Sequence, residues 1–403
     1  MNRTALRAAV LVLLSCIPLL FGCAQRAADT ASEAPPVEEG YVEAADGVRL
    51  FYRKVGDGPQ PVFLPADLFL HPAFDRLAEG RTLYYYDMRN RGLSDSVTAE
   101  QANSIQQDVE DLETLRAHFG LERTDLVGFS YLGLMVMMYA KAHPEHVRRV
   151  VQLGPVAMRF GTEYPEGLRT GDYYAAMDST ALAELRKVQA EGLPFTDPGE
   201  YCRRERAVTS LALVGDPANV SRLSDDVCDK PNEWPAHLAG HFGRHFASVQ
   251  ALELAPADFA GLGGVPVLTI HGTLDRNAAY GGGREWALTL PDARLVTVEG
   301  AAHCAWADDP GRVFGAIEAF LGGAWPEEAE RVSALVRAHS SRTTRAAFSR
   351  AWASACPRQR QSTGTDTGPE PRARDELRVR AGSVYGFAVE TLPLISQRPS
   401  TRS

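Results

Sequence analysis

The strongest constraint on this chain is a rhythm: short apolar runs alternate with stretches of helical period from about residue 48 to residue 321. "VRLFYRKV" (48–55), "PVFLP" (61–65), "TLYYYDM" (82–88) and "TDLVGFS" (124–130) read as strands. "VRRVVQLG" (147–154), "VPVLTIHG" (265–272) and "ARLVTVEG" (293–300) continue the series. Between them, "SIQQDVEDLETLRAHFG" (104–120) puts Ile105, Val109, Leu112 and Leu115 on one helix face and stops at Gly120. A helix is also expected from Ser130 to Ala142, and "PGRVFGAIEAFL" (310–321) opens another on proline. Strands joined through helices run parallel, so the rhythm predicts an α/β fold, a mostly parallel central sheet flanked by helices. The first run alternates and suits an early edge strand or a hairpin.

The rhythm breaks over residues 157–258, which are mainly helical with turns at "GLPFTDPGE" and "CDKPNEWP". A long insertion between parallel strands forms a cap over their carboxyl ends, where ligands bind. Residues 41–156 and 259–325 are thus expected as the core, with 157–258 as a helical cap. At the front, Arg3 and Arg7 precede "AAVLVLLSCIPLLFGC", the pattern of a secretion signal. Its end, Leu20-Phe21-Gly22-Cys23, resembles a bacterial lipobox. The expectation is a lipoprotein signal over 1–23, a lipidated Cys23, a flexible tether over 24–40, and an exported protein held at the membrane of the cell envelope. Residues 326–403 are expected as a C-terminal extension, mostly disordered, for its Arg, Ser and Thr content.

Cys16 falls in the signal and Cys23 carries lipid, leaving Cys202, Cys228, Cys304 and Cys356. Export permits disulfides, and Cys202 and Cys228 share one segment, so they are the expected pair. No C-x-x-C spacing suggests a metal, and none is expected. A net charge of -9 argues against nucleic acid as a partner.

The chemistry concentrates at "GFSYLG", residues 128–133. It nearly matches G-x-S-x-G, a strand-to-helix turn that presents a serine, but Leu132 takes the second glycine's place and Gly133 follows. A serine hydroxyl needs a base to take its proton, and the base needs a third group to fix its tautomer. Asp275 follows one strand in "HGTLDRN", and His303 follows the next in "EGAAHCAWADDP". Alone, the serine is as easily a plain strand-to-helix turn, the aspartate a cap and the histidine a packed side chain. Together, Ser130, Asp275 and His303 each stand at a strand's carboxyl end.

Over about Tyr41 to Glu327 the chain resembles the α/β-hydrolases, in the capped branch that contains prolyl iminopeptidases and related esterases and perhydrolases. "YYYDMRNRGLSD" (84–95), "LVGFSYLG" (126–133), "AKAHPEHVRRVVQLGP" (140–155), "IHGTLDRN" (270–277) and "GAAHCAWADDP" (300–310) carry the likeness. "DMRNRGLSD" is similar to that branch's D-x-R-G-x-G-x-S loop, with Asn90 in place of a glycine. The resemblance implies acyl transfer to water by Ser130, His303 and Asp275, on a small ester, an amide or a short peptide, without a cofactor. It implies two backbone N–H groups for the developing oxyanion: Tyr131, and Asp67 or Leu68 in "LPADLFL", where Pro65 and Ala66 replace His-Gly. Leu132 is expected to push the following helix outward, with Gly133 absorbing the contact. An iminopeptidase would need a cap carboxylate for its substrate's amine, for which Glu200, Glu205 and Glu233 are candidates. The Asp67 carboxylate beside an oxyanion site, together with Leu132, motivates a different class, a hydrolase-fold binding lipoprotein with little turnover. His237, His241 and His245 recur every four residues and are expected as a cap face or pocket lining. Cys304 is expected as a neighbour of His303 and no nucleophile.

Overall fold

The computed structural model describes residues 35–98 and 101–336. Cys16, Cys23, the signal and most of the tether lie outside those residues, as do Cys356 and the extension from 337 onward. An eight-stranded sheet organises the rest, in the order β1-β2-β4-β3-β5-β6-β7-β8. Its strands are β1 (Val37–Glu43), β2 (Arg49–Val55), β3 (Gln60–Pro65), β4 (Arg81–Tyr86), β5 (Thr124–Phe129), β6 (Val147–Leu153), β7 (Val267–Gly272) and β8 (Ala293–Val298). β1, β2 and β4 pair antiparallel, and every other pairing is parallel. The first apolar run, 48–55, is therefore not an edge. It is the second arm of a hairpin whose first arm, β1, forms the edge instead.

That first arm corrects the tether's boundary. "VEEGYVE" is too acidic to advertise a strand, yet it pairs residue by residue from Val37↔Val55 to Glu43↔Arg49. Tether residues 37–40 thus belong to the sheet. The C-terminal boundary moves as well. Glu330 bridges to Leu295 on β8, and the Arg284 guanidinium holds the carbonyls of Ala334 and Leu335. Residues 326–336 are packed on the core.

The two-residue period of each strand sorts its side chains between two layers. Phe63, Tyr84, Tyr86, Leu126 and Val150 face the layer that holds α1 (Ile105–His118) and α2 (Tyr131–Ala142). Val62, Leu64, Leu83, Tyr85, Val127 and Val151 face the other layer. The cap contains α3 (Ser179–Ala190), α4 (Pro198–Thr209) and α5 (Pro235–Gln250) around a small core that includes Tyr173, Leu185, Val188 and Tyr201. After it come α6 (Tyr280–Thr289) and α7 (Pro310–Leu321). α7 packs Val313, Phe314 and Ile317 into the second layer. Proline at the head of α7 and the Asp309 cap on Arg312 N explain why that helix starts where it does. Among the described residues no helix is long and apolar enough to cross a membrane.

A disulfide joins Cys202 on α4 to Cys228, closing a loop of separation 26 inside the cap. A buried ion pair fastens cap to core: Arg91 places Nε and Nη2 at 2.9 and 2.8 Å from the two carboxylate oxygens of Glu233. Gly92 N adds a third donor to that carboxylate.

Candidate active site

Ser130 ends β5 with φ 57° and ψ -122°, a left-handed backbone that a residue with a Cβ adopts only when its surroundings impose it. Three contacts impose it here. Ser130 N donates to Leu153 O, and Ser130 O accepts from the N–H groups of Gly133 and Val156. The turn is tight: a Cβ on Gly128 would lie 2.3 Å from Leu132 O. The helix is therefore not pushed outward as expected from Leu132. Its backbone closes onto Gly128, while the Leu132 side chain is buried in the core. Gly133 meets Pro155 on the neighbouring strand's exit, where a Cβ would come within 3.0 Å.

The loops after β7 and β8 bring Asp275 and His303 together. His303 Nδ1 lies 2.7 Å from Asp275 Oδ2, and both residues are buried. The other carboxylate oxygen accepts from Asn277 N and Ala278 N, each at 2.8 Å. Burial pushes the Asp275 pKa up. The charge and hydrogen bonds of His303 and His271 outweigh that and hold it well below the usual carboxylate range. Ser130 and His303 line one cavity of about 120 Å³ between core and cap. Phe69, Phe129, Leu132, Leu213 and Trp306 make most of its wall apolar.

In "LPADLFL", Ala66 takes φ 75° and ψ 67°, the left-handed geometry a glycine would adopt more readily. It turns the chain into a single helical turn, Asp67–Leu70. The Asp67 carboxylate pairs with Arg53 Nε at 2.8 Å, across to the hairpin. Leu68 N donates to Asp87 Oδ1, so of the two amides considered it is already engaged. Tyr131 begins α2, where helix geometry leaves N–H groups pointing out of the first turn. Its hydroxyl meets Asp108 Oδ2 at 2.6 Å and His245 Nε2 at 3.0 Å.

The three cap histidines do not converge. His237 Nε2 meets Asn90 O, His241 Nδ1 meets Asn90 Nδ2, and His245 Nε2 meets Asp108 Oδ2. They form the cap's seam with the core. Asn90 stands where the resemblance calls for glycine and has a positive φ of 64°, which asparagine tolerates better than most residues. Among the described residues, one group brings three candidate metal ligands within reach of one another, Glu113, His143 and His146. Its carboxylate already serves Arg116 and Tyr139.

The cap glutamates separate cleanly. Glu200 lies outside the cavity, paired with Arg203 and Arg204. Glu233 lines the cavity but is matched by Arg91. Glu205 lines the cavity too, and burial pushes its pKa up to about 7. Cys304 is a buried free thiol whose pKa burial raises, which argues against thiolate chemistry. Sequence reasoning missed His271 on Asp275 and the Tyr131–Asp108–His245 junction. Only the histidine in "IHGTLD" could have signalled the first.

A family model described as the alpha/beta hydrolase fold matches residues 66–310. A Streptomyces coelicolor protein named probable proline iminopeptidase is 25% identical, over 73% of this chain and 98% of its own. A Mycoplasma pneumoniae protein, named for a proposed proline iminopeptidase activity, is 30% identical over 66% of this chain and 93% of its own. Among solved structures, an esterase from Exiguobacterium antarcticum superposes with a TM-score of 0.54 at 16% identity, covering 71% of this chain and all of that one (100%).

Proposed function

This chain belongs to the α/β-hydrolase family, and from that premise we propose that it is a serine hydrolase acting on a small ester or amide through an acyl-enzyme. The observation that carries the reading is the strained Ser130 sharing one cavity with a histidine already fixed by a buried aspartate. Asp275 holds His303 by Nδ1, which leaves Nε2 to serve the serine. Ser130 Oγ attacks the carbonyl carbon while His303 takes its proton. The oxyanion is received by the N–H groups of Tyr131 and Asp67. His303 then returns the proton to the leaving alcohol or amine, and the acyl-enzyme forms. Water completes the cycle: its oxygen bonds to the acyl carbon as its proton passes to the same imidazole, the acyl–Oγ bond breaks, and the imidazolium returns that proton to Ser130 as the acid leaves.

The Arg53 partner of Asp67 neutralises the carboxylate that would oppose an oxyanion, and the Leu132 side chain fits the core. Both reasons for a binding protein with little turnover therefore weaken. Labelling with a fluorophosphonate tests the reading: the purified protein takes up the probe, and Ser130→Ala abolishes the uptake. A wild type that remains unlabelled under the same conditions would sink it.

Glu205 favours a second reading, an aminopeptidase that binds its substrate's ammonium in the cavity. Its carboxyl is protonated below about 7 and charged above, so amine recognition strengthens as pH rises through that value. kcat/KM for proline p-nitroanilide should then climb across this range relative to p-nitrophenyl acetate. Glu205→Gln should flatten the climb; an unchanged profile in that variant removes the peptidase reading.

We also infer export and anchoring through Cys23. The Cys202–Cys228 bond supports an oxidising compartment.

A further inference from the structure

His271 is a fully buried residue near the end of β7, outside the three residues assigned to the reaction. Its Nε2 lies 3.1 Å from Asp275 Oδ2, the same oxygen that His303 uses, and 3.2 Å from Ala278 O. A carbonyl only accepts, so the proton is on Nε2 and the ring donates to both oxygens. Nδ1 is buried without a hydrogen-bond partner. Buried polar atoms are ordinarily satisfied, so an imidazole kept here at that cost has a reason beyond packing.

The helix beside it gives independent support. α6 begins "YGGGREW", three glycines in a helix, where glycine is a poor choice. A Cβ on Gly283 would lie 2.3 Å from His271 Nδ1 and 3.0 Å from Cγ. Glycine there lets the helix backbone close over the ring. Tyr280, three residues earlier on the same helix, packs edge-on against the ring, centroid to centroid 5.8 Å. The ring is thus packed against α6, with Nε2 facing Asp275 and Ala278 O.

We propose that His271 is a positioning residue of the reaction, which fixes Asp275 by a second hydrogen bond to the oxygen that orients His303. The proposal rests on the assignment of Ser130, His303 and Asp275. A hydrogen-bond donor on Oδ2 stabilises the carboxylate and moderates the negative charge it offers to His303. Without that donor the carboxylate becomes more basic, the His303 imidazolium gains, and the base is neutral only at higher pH. Other ionisable groups facing the cluster are Cys304 and Asp308 from the loop after β8, Arg206 from α4 and Tyr280 from α6. None of them changes in the variants below.

The test uses the full chain and the pH dependence of its fluorophosphonate labelling rate. His271→Phe keeps a ring without a donor, and His271→Gln keeps an amide N–H near the Nε2 position. The acid limb should move up by about one unit in His271→Phe, slowing labelling below the limb about tenfold. In His271→Gln it should stay near wild type. Identical limbs in all three proteins, or an equal shift in both variants, overturn the proposal. Thermal melts check that the variants are folded. Should either fail to fold, ¹⁵N-histidine spectra of wild type decide: a neutral Nε2–H tautomer of His271 across the active range is required, and Nδ1–H or imidazolium refutes it. Loss of Ser130-dependent labelling in wild type would instead fault the catalytic assignment, and the same spectra would still judge the bond to Asp275.

Discussion

At the scale of single residues, Gly128 leaves no space for a methyl group. The Leu132 carbonyl, Leu132 C and a Val136 methyl would all lie within 2.7 Å of an added Cβ. Two of these atoms are backbone, so a change there must move the start of α2 and the serine with it. Gly128→Ala should cost about 1–3 kcal/mol and remove most of the labelling, read from urea melts and from the labelling rate. Retention of both would show that the turn is softer than its contacts imply. Ser130, Asp275 and His303 were legible in the sequence because each follows an apolar run that could only be a strand. The fate of Asp67 was not legible. Its partner Arg53 faces it only because β2 and β4 pair in one particular register, which no local pattern encodes. Ala66 was hidden in another way, since a left-handed alanine carries no signal of its own.

At the scale of elements, the loop after β4 and the turn before α5 form a clasp. Arg91 and Glu233 are both buried, and the carboxylate also accepts from Gly92 N. Removing one partner strands the other charge away from water, which typically costs about 3–5 kcal/mol. Arg91→Ala should therefore lower the thermal midpoint and speed proteolysis within residues 157–258 ahead of the core. Equal protection of cap and core would contradict the clasp. The disulfide acts within the cap, where closing a loop of separation 26 contributes about 3.5 kcal/mol by loop entropy. The cap was legible as helical because its apolar spacing is that of helices and its turns are rich in proline. The histidines every four residues revealed a face. What that face meets depends on how two distant segments dock, and Asn90, Asp108 and Tyr131 could be named only from the structure.

At the scale of the whole molecule, the fold class was legible from rhythm alone, while both ends were not. β1 carries three glutamates in seven residues, and its first four residues read as tether; it is a strand because β2 offers it a complete ladder. The proposed anchoring through Cys23 is tested on the full chain. Cys23→Ser should shift the protein from the membrane fraction to the soluble one without altering Ser130 labelling, and an unchanged distribution would exclude the lipid anchor. The two margins of the sheet have a further consequence. An uncovered margin is a template on which a second chain can lay a strand. On β1, Glu43 sets a carboxylate against such a guest, beside Glu38 and Glu39 that pair with Lys54 and Arg53. On β8, Leu295 exchanges both of its backbone hydrogen bonds with Glu330, so the segment after α7 occupies that place itself. Growth of the sheet from copy to copy is thus opposed by charge at one margin and by occupancy at the other. A variant that loses Glu330's segment would free the N–H and C=O of Leu295 and open that margin of β8 to a strand from a second copy.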